Sequence, residues 1–148
     1  MGDVRMEFVN ILPGVESAAS ALSAEKVRME VIAQNIANAN TTRTSEGGPY
    51  TRQMVKFEAF MDKANGIGVG SGPHMVRVAG IESDNAPPRK IYQPGHPDAD
   101  DNGMVSYPNI NIHLEMADLI ASNRAMEANL AIIRTARAMA MNTLSLGK

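Results

Sequence analysis

NIHLEMADLIASNRAMEANLAIIRTARAMAMNTLSL, residues 111–146, is the stretch that decides the fold. Apolar side chains recur in it every three or four residues, the spacing that places them on one face of an α-helix, and neither proline nor glycine interrupts it. At roughly 1.5 Å per residue the helix would be about 50 Å long, more than a domain of this size can cover alone. We therefore expect it to pack against a second helix. The predicted contact seam comprises Met116, Leu119, Asn123, Met126, Leu130, Ile133, Arg137, Ala140 and Leu144. Its polar members, Asn123 and Arg137, are expected to set the register of the packing.

A second helix is predicted near the start of the chain. The same spacing returns at Val15 and continues to about Ala39, where the Asn and Thr residues up to Thr42 favour a helix end because their side chains compete for backbone hydrogen bonds. Residues 1–14 contain Pro13-Gly14 and are expected to form a separate short helix or a tail. The predicted seam of the second helix comprises Val15, Ala18, Leu22, Glu25, Met29, Ile32 and Ile36.

Residues 43–108 have a different character. Most of the 12 glycines and 8 prolines of the chain lie here, between short runs rich in β-branched and aromatic residues. These runs predict strands of one small antiparallel unit. They are Gln53–Phe60, Met75–Ile81, Lys90–Tyr92 and Met104–Tyr107. Asn109 or Asn111 is expected to cap the following helix, since asparagine oxygens accept bonds from the first free N–H groups.

The predicted fold class is α+β, with long N- and C-terminal helices paired as a coiled coil and a small β-rich insertion between them. Residues 1–42 and 109–148 would form a discontinuous helical domain, and residues 43–108 the insertion. The side chains expected to carry the packing between helices, within a subunit and between subunits, are Leu22, Met29, Ile32, Ile36, Leu119, Met126, Leu130 and Ile133.

Composition and charge exclude several classes of protein. The net charge of −2 argues against nucleic-acid binding, which calls for a basic face. No apolar run is long enough to span a membrane, and the N-terminus, MGDVRMEFVNILPG, lacks the apolar core of a secretory signal peptide. The absence of cysteine excludes disulfides, thiol catalysis and Cys-based zinc sites.

The stretch with the most reactive residues is PGHPDADDNG, residues 94–103. Its histidine and aspartates could bind a divalent cation, but the spacing matches no EF-hand, and proline, aspartate and glycine are the residues of a surface turn. We favour the turn and assign no metal. The alternating glycines at 66–72 lack both the spacing and the lysine of a phosphate loop. No catalytic or cofactor-binding residues are predicted.

Several of these stretches resemble one protein family. IAQNIANANTT, residues 32–42, resembles the N-terminal signature of the bacterial flagellar axial proteins, which form the rod, the hook and the hook-associated parts. TRTSEGGPY (42–50), YQPGHPDAD (92–100), residues 105–120 and RAMEAN (124–129) narrow the resemblance to the proximal rod, apart from Met126, where tyrosine is expected. The signature residues are Asn35, Asn38, Asn40, Pro94, Gly95, His96, Pro97 and Asp98.

The resemblance implies a structural subunit of the proximal rod, without catalysis or cofactor, that assembles helically and transmits motor torque to the hook. Implied partners are other proximal rod proteins, the adaptor between rod and MS-ring, the MS-ring, further copies of the chain and the flagellar export apparatus, with no nucleic acid and no membrane insertion. The implied location is the basal body, in the rod that spans the periplasm, after type III export from the cytoplasm without a cleaved signal peptide.

Two other classes of protein are open alternatives. A metal-dependent enzyme would use His96 and Asp98. A secreted coiled-coil effector or translocator would share the helix layout but would bind a host or a membrane partner.

Overall fold

The computed structural model describes the backbone of residues 3–61 and 74–146, and the side chains of residues 14–60 and 75–146. The elements in chain order are helix α1 (Asp3–Ala37), strands β1 (Gln53–Met61), β2 (His74–Ser83), β3 (Arg89–Tyr92) and β4 (Met104–Tyr107), and helix α2 (Ile112–Leu146). This order confirms two long terminal helices with strands between them. The glycine-rich stretch 66–72 lies outside the described residues.

Helix α1 begins much earlier than predicted. It runs from Asp3 through Pro13, so the expectation of a separate short helix or tail over residues 1–14 is wrong. Proline lacks an N–H and so removes one backbone hydrogen bond, but its fixed φ is helical, and the turns on either side retain their own bonds. The helix ends at Ala37, slightly before the predicted Ala39.

The predicted polar end of α1 is confirmed. The backbone N–H and the side-chain Nδ2 of Asn38 both donate to the carbonyl oxygen of Gln34, at 3.0 and 2.9 Å. The hydroxyl of Thr41 then donates to Oδ1 of Asn38 at 3.2 Å. These bonds satisfy groups that the last turn of a helix leaves open.

Helix α2 begins and ends where its sequence predicts. Asn111, rather than Asn109, is the N-cap: its Oδ1 accepts the N–H of His113 and its carbonyl oxygen accepts the N–H of Glu115, both at 3.0 Å. No proline or glycine occurs within the helix. Over the described residues, neither α1 nor α2 contains a stretch apolar enough to cross a bilayer.

All four predicted strands are present, but the described strands form two separate sheets of two strands instead of one unit. β1 pairs with β2, and β3 pairs antiparallel with β4 in a register that aligns Ile91 with Val105. A two-stranded sheet is at best marginally stable alone, so each depends on contacts outside its own strands.

The chain divides into two compact units. The first lies within Met1–Val27, Phe57–Ala79 and Ser122–Lys148. Its buried apolar side chains are Ala18, Ala24 and Ala136. Here the hydroxyl of Ser122 in α2 donates to Oε2 of Glu25 in α1 at 2.5 Å.

The second unit lies within Arg28–Lys56 and Gly80–Ala121. Its buried apolar side chains, among the described residues, are Val31, Ile32, Ala39, Val105 and Ile110. An ion pair joins α1 to α2 in this unit as well, with 3.8 Å between Arg28 Nη2 and Asp118 Oδ1.

The protected stripe of α2 is displaced by one residue from the predicted seam at four of the nine seam positions, Met116, Asn123, Arg137 and Leu144. Ser122 and Ala136 are buried, whereas Asn123 and Arg137 are exposed, and the role of these two polar residues in setting the register stays a prediction. Asn123 instead donates to Glu127 on the solvent side of the same helix at 3.4 Å. Because burial of a polar group without a partner is costly, the stripe passes through the small neighbouring residues.

Candidate functional site

The side chain of Asn35, near the end of α1, is buried in the second unit with every hydrogen-bonding position in use. Its Nδ2 donates to the carbonyl oxygen of Gln53 at 2.8 Å and to Oε2 of Glu115 at 3.1 Å. Its Oδ1 accepts the backbone N–H of Gln53 at 2.9 Å and the hydroxyl of Tyr50 at 3.1 Å. Since both backbone groups of Gln53 bond to it, the Asn35 amide occupies the place of a neighbouring strand at the start of β1.

Glu115, in the first turn of α2, is only 1% exposed. A buried carboxylate is tolerated when it is both charge-paired and hydrogen-bonded. Arg52 supplies both, because its Nε and Nη2 each lie 2.7 Å from Oε1 of Glu115. Arg52 also reaches the end of β2: its carbonyl oxygen accepts the N–H of Asp84 at 2.7 Å, and its Nη1 lies 3.9 Å from Oδ2 of Asp84.

Tyr50 adds a titratable hydroxyl to this cluster. Burial raises the pKa of the Tyr50 hydroxyl above its usual value of 10.0, and the nearby negative charge of Glu115 raises it further. The hydroxyl therefore keeps its proton and remains a donor to Asn35 over the physiological range. We refer to Asn35, Tyr50, Arg52, Gln53 and Glu115 as the polar junction.

The PGHPDAD loop meets the end of α1 at a second polar contact. The hydroxyl of Thr42 donates to Oδ2 of Asp98 at 2.7 Å, and Nη1 of Arg43 lies 3.7 Å from Oδ1 of the same carboxylate. The backbone N–H of Asp98 donates to Nδ1 of His96 at 3.1 Å. Both residues of the hypothetical metal site thus have structural partners.

The rest of the loop is a tight turn. Oδ1 of Asp100 accepts the N–H groups of Asn102 and Met104, each at 2.9 Å. Gly103 has a φ of 73°, and an added Cβ would lie 3.0 Å from the ring of Tyr92, so glycine is needed here for both reasons. Among the described residues, no three or more His, Asp or Glu side chains are grouped to hold a metal ion.

The predicted packing residues lie on protected faces of both helices. Ile32 is buried, and the seven others are partly exposed. These seven are Leu22, Met29, Ile36, Leu119, Met126, Leu130 and Ile133. Their packing against one another, within or between subunits, stays a prediction.

The signature residues have several different roles. Asn35 belongs to the polar junction, Asn38 caps α1, and Asn40 is exposed. His96 and Asp98 are partly buried, and the ring of His96 lies edge-on to Tyr107 with centroids 6.4 Å apart. The remaining members are exposed loop residues, namely Pro94, Gly95 and Pro97.

Sequence reasoning missed Tyr50, Arg52 and Glu115 as members of a site. Glu115 resembles an ordinary acidic residue in the first turn of a helix, where it would favour the helix dipole. Its one distinguishing sign is its position, because it falls in line with the predicted seam residues Leu119 and Met126 at heptad spacing. The junction binds the end of α1, the start of β1 and the first turn of α2 to one another.

The described part of α2 also displays a broad apolar surface. Its exposed large apolar side chains are Leu114, Met116, Ile120, Ile132, Met139, Met141, Leu144 and Leu146. They flank the buried stripe on both sides, and five of them lie after residue 131. Exposed apolar surface of this extent is typical of an interface with another chain.

Two family descriptions match the terminal regions of the chain. "Flagella basal body rod protein" matches residues 16–43, and "Flagellar basal body rod FlgEFG protein C-terminal" matches residues 101–146. The first match contains Asn35, Thr42 and Arg43, and the second contains Glu115 with most of α2. The two matched regions therefore meet at the polar junction.

Full-length relatives of the chain are also flagellar basal-body rod proteins. The flagellar basal-body rod protein FlgC of Salmonella typhimurium is 36% identical and covers 97% of this chain and 100% of its own length. FlgC of Borreliella burgdorferi is also 36% identical, over 93% of this chain and 98% of its own. FlgC of Bacillus subtilis shares 36% identity over 88% and 94% respectively. The chain belongs to the FlgC family of flagellar basal-body rod proteins.

Proposed function

We propose that this structural rod subunit lies in the proximal part of the rod, pairs α1 with α2 as a coiled coil, and stacks helically with further copies. The subunit transmits torque from the motor toward the hook and catalyses no reaction. The residues that we expect to carry the coiled-coil packing are the eight predicted packing residues, among them Ile32 and Met126.

The observation that carries the proposal is the apolar surface of α2. A lone subunit would leave side chains such as Ile132 and Met139 about half exposed, at 50% and 49%. Burying an Ile or Met side chain is worth about 1.5–3 kcal/mol, and a helical assembly repeats that gain in every subunit. Neighbouring helices in a rod would supply the missing contacts.

The proposed surroundings follow from membership of the family. We expect contacts with other proximal rod proteins, with the adaptor between rod and MS-ring and with the MS-ring, in the part of the basal body that crosses the periplasm. The flagellar export apparatus would deliver the chain. In this arrangement the insertion, residues 43–108, would face away from the rod axis.

The test places a charge on the apolar surface of α2. We expect Ile132→Asp to prevent rod assembly and swimming while the chain accumulates in the cell at the wild-type level, because an unpaired carboxylate would have to enter each interface. Ala131→Asp is the matched control, since Ala131 is also exposed, lies on the same turn and receives the same charge. Swimming assays and recovery of the chain in isolated basal bodies give the measurement. Normal swimming of the Ile132→Asp strain, or equal loss in both strains, would contradict the proposal.

A further inference from the structure

We propose that the polar junction is a conformational latch, through which the order of the first turn of α2 controls the order of the start of β1. The two segments are linked by Asn35, a positioning residue that touches both. The latch follows from the bonds within the second unit and does not depend on the rod assignment.

The first step is the dependence of Gln53 on Asn35. The carbonyl oxygen of Arg52 bonds to Asp84, on the side of the ribbon where β2 lies. Alternation along a strand turns the N–H and C=O of the next residue, Gln53, to the opposite side. There the Asn35 amide meets both groups, at 2.9 and 2.8 Å. If the amide turns away, the start of β1 loses its partner on that edge.

The second step is the dependence of Asn35 on Glu115. The Nδ2 group of Asn35 has two hydrogens, and one of them is held by Oε2 of Glu115 at 3.1 Å. Glu115 is in turn fixed by Arg52, which occupies its other oxygen. Glu115 makes no hydrogen bond to Gln53 among the described contacts, so its influence on Gln53 passes through the Asn35 amide and through Arg52, the residue before Gln53.

The two steps together make the folding of the insertion conditional. Glu115 reaches its position only when the first turn of α2 has formed and lies beside the end of α1. Until then the Asn35 amide lacks one of its anchors, and the start of β1 lacks a fixed partner. If the helices form late, residues 50–53 would therefore become ordered only after them, because a polar network is rigid only when every member has its hydrogen-bond partners.

Hydrogen exchange of single backbone amides in the purified full-length chain, followed by NMR, tests the latch. The Gln53 amide reports on the junction. The Gln93 amide, bonded to the carbonyl oxygen of Gly103 at 2.8 Å beside the β3–β4 pair, reports on a part of the same unit outside the junction. We expect Glu115→Ala to accelerate exchange at Gln53 by roughly tenfold or more relative to Gln93, the scale expected when a buried hydrogen-bonding group loses its partner.

Asp118→Ala is the matched control. It also removes a carboxylate of α2 that pairs with α1, but its partner is Arg28, away from Asn35. We expect its effect on the Gln53-to-Gln93 ratio to stay below about twofold, since a half-exposed ion pair contributes little. Glu115→Gln should keep most of the protection, because an amide oxygen can still accept from Asn35.

Three results would overturn the latch. The first is an unprotected Gln53 amide in the wild-type chain. The second is a Glu115→Ala variant in which Gln53 exchanges no faster relative to Gln93. The third concerns Glu115→Gln, which replaces Glu115→Ala as the test if the alanine variant does not fold. Equal loss of protection at Gln53 and Gln93 in the Glu115→Gln variant would make Glu115 a general stabiliser of the unit.

Discussion

Asn35→Asp is the sharpest perturbation of the polar junction, because it preserves the shape of the side chain and replaces only its NH₂ group by oxygen. At neutral pH the new oxygen cannot donate. The carbonyl oxygen of Gln53 and Oε2 of Glu115 would both lose a donor, at positions now 2.8 and 3.1 Å from Nδ2. The substitution would also bring a second carboxylate against the buried one.

The expected loss of stability is large. Each buried acceptor that loses its donor costs about 1–3 kcal/mol. Two unit charges at the 3.1 Å separation of Asn35 and Glu115 repel by about 5 kcal/mol at an effective dielectric constant of about 20. Arg52 and relaxation of the site offset part of that repulsion. We expect a decrease of about 3–6 kcal/mol in the free energy of unfolding, a substantial fraction of the stability of a typical domain.

The loss should depend on pH in a defined direction. Burial and the neighbouring charge of Glu115 would raise the pKa of the introduced carboxyl above its unfolded value of about 4. A raised pKa means that the folded state binds the proton more tightly, so stability is retained below the unfolded pKa and lost as pH rises through the folded one. The free energy of unfolding of the variant should therefore approach that of the wild type at about pH 4 and lie furthest below it at about pH 7.

Urea unfolding followed by circular dichroism, at several pH values, measures the difference between variant and wild type. Asn40→Asp is the control, because Asn40 lies in the same signature stretch but is exposed. Its effect should stay within about 0.5 kcal/mol. An Asn35→Asp variant that matches Asn40→Asp at neutral pH, or whose deficit is the same at all pH values, would refute the assigned role of the Asn35 amide.

Two further predictions concern Tyr50 and Leu130. Tyr50→Phe should cost about 0.5–1.5 kcal/mol at neutral pH through the lost bond to Asn35. The raised pKa of Tyr50 means that the wild type loses stability as pH rises through and above about 10, so the difference in urea unfolding between the two proteins should shrink there; a difference that is constant with pH would contradict this. Leu130→Asp should abolish rod assembly and motility at normal expression, because Leu130 is partly buried on the predicted packing face. Asn123→Asp, one heptad earlier and exposed, should swim, and a motile Leu130→Asp strain would contradict the packing prediction.

The elements of the fold could be predicted because they depend on local patterns. Helical spacing, the cap at Asn111 and the alternating strand runs each lie within a few residues of one another, so a single stretch contains the whole pattern. The start of α1 could not be predicted this way. Pro13-Gly14 carries a local preference for a break, and the surrounding turns of helix override a preference of that size.

The seam could be predicted only to within one residue. The prediction followed the largest apolar side chains, whereas the structure buries Ser122 and Ala136 beside them and leaves Arg137 exposed. The predicted seam and the stripe that the structure protects share about half of their positions. The size and polarity of the neighbouring residues decide which of the two is buried. Glu25 shows why a polar residue can lie on the buried side: Ser122 supplies its hydrogen bond across the helices.

The polar junction was beyond prediction for a different reason. Asn35 is 80 positions from Glu115 and 18 from Gln53, and nothing near Asn35 distinguishes it from Asn38, which caps the helix. An apolar contact needs only a side chain of suitable size, so many residues can satisfy it. The junction needs an amide that donates twice and accepts twice, opposite a carboxylate that an arginine neutralises. Such a set of partners explains why the signature of the chain contains polar residues: Asn35 and Asp98 hold separate segments in one arrangement.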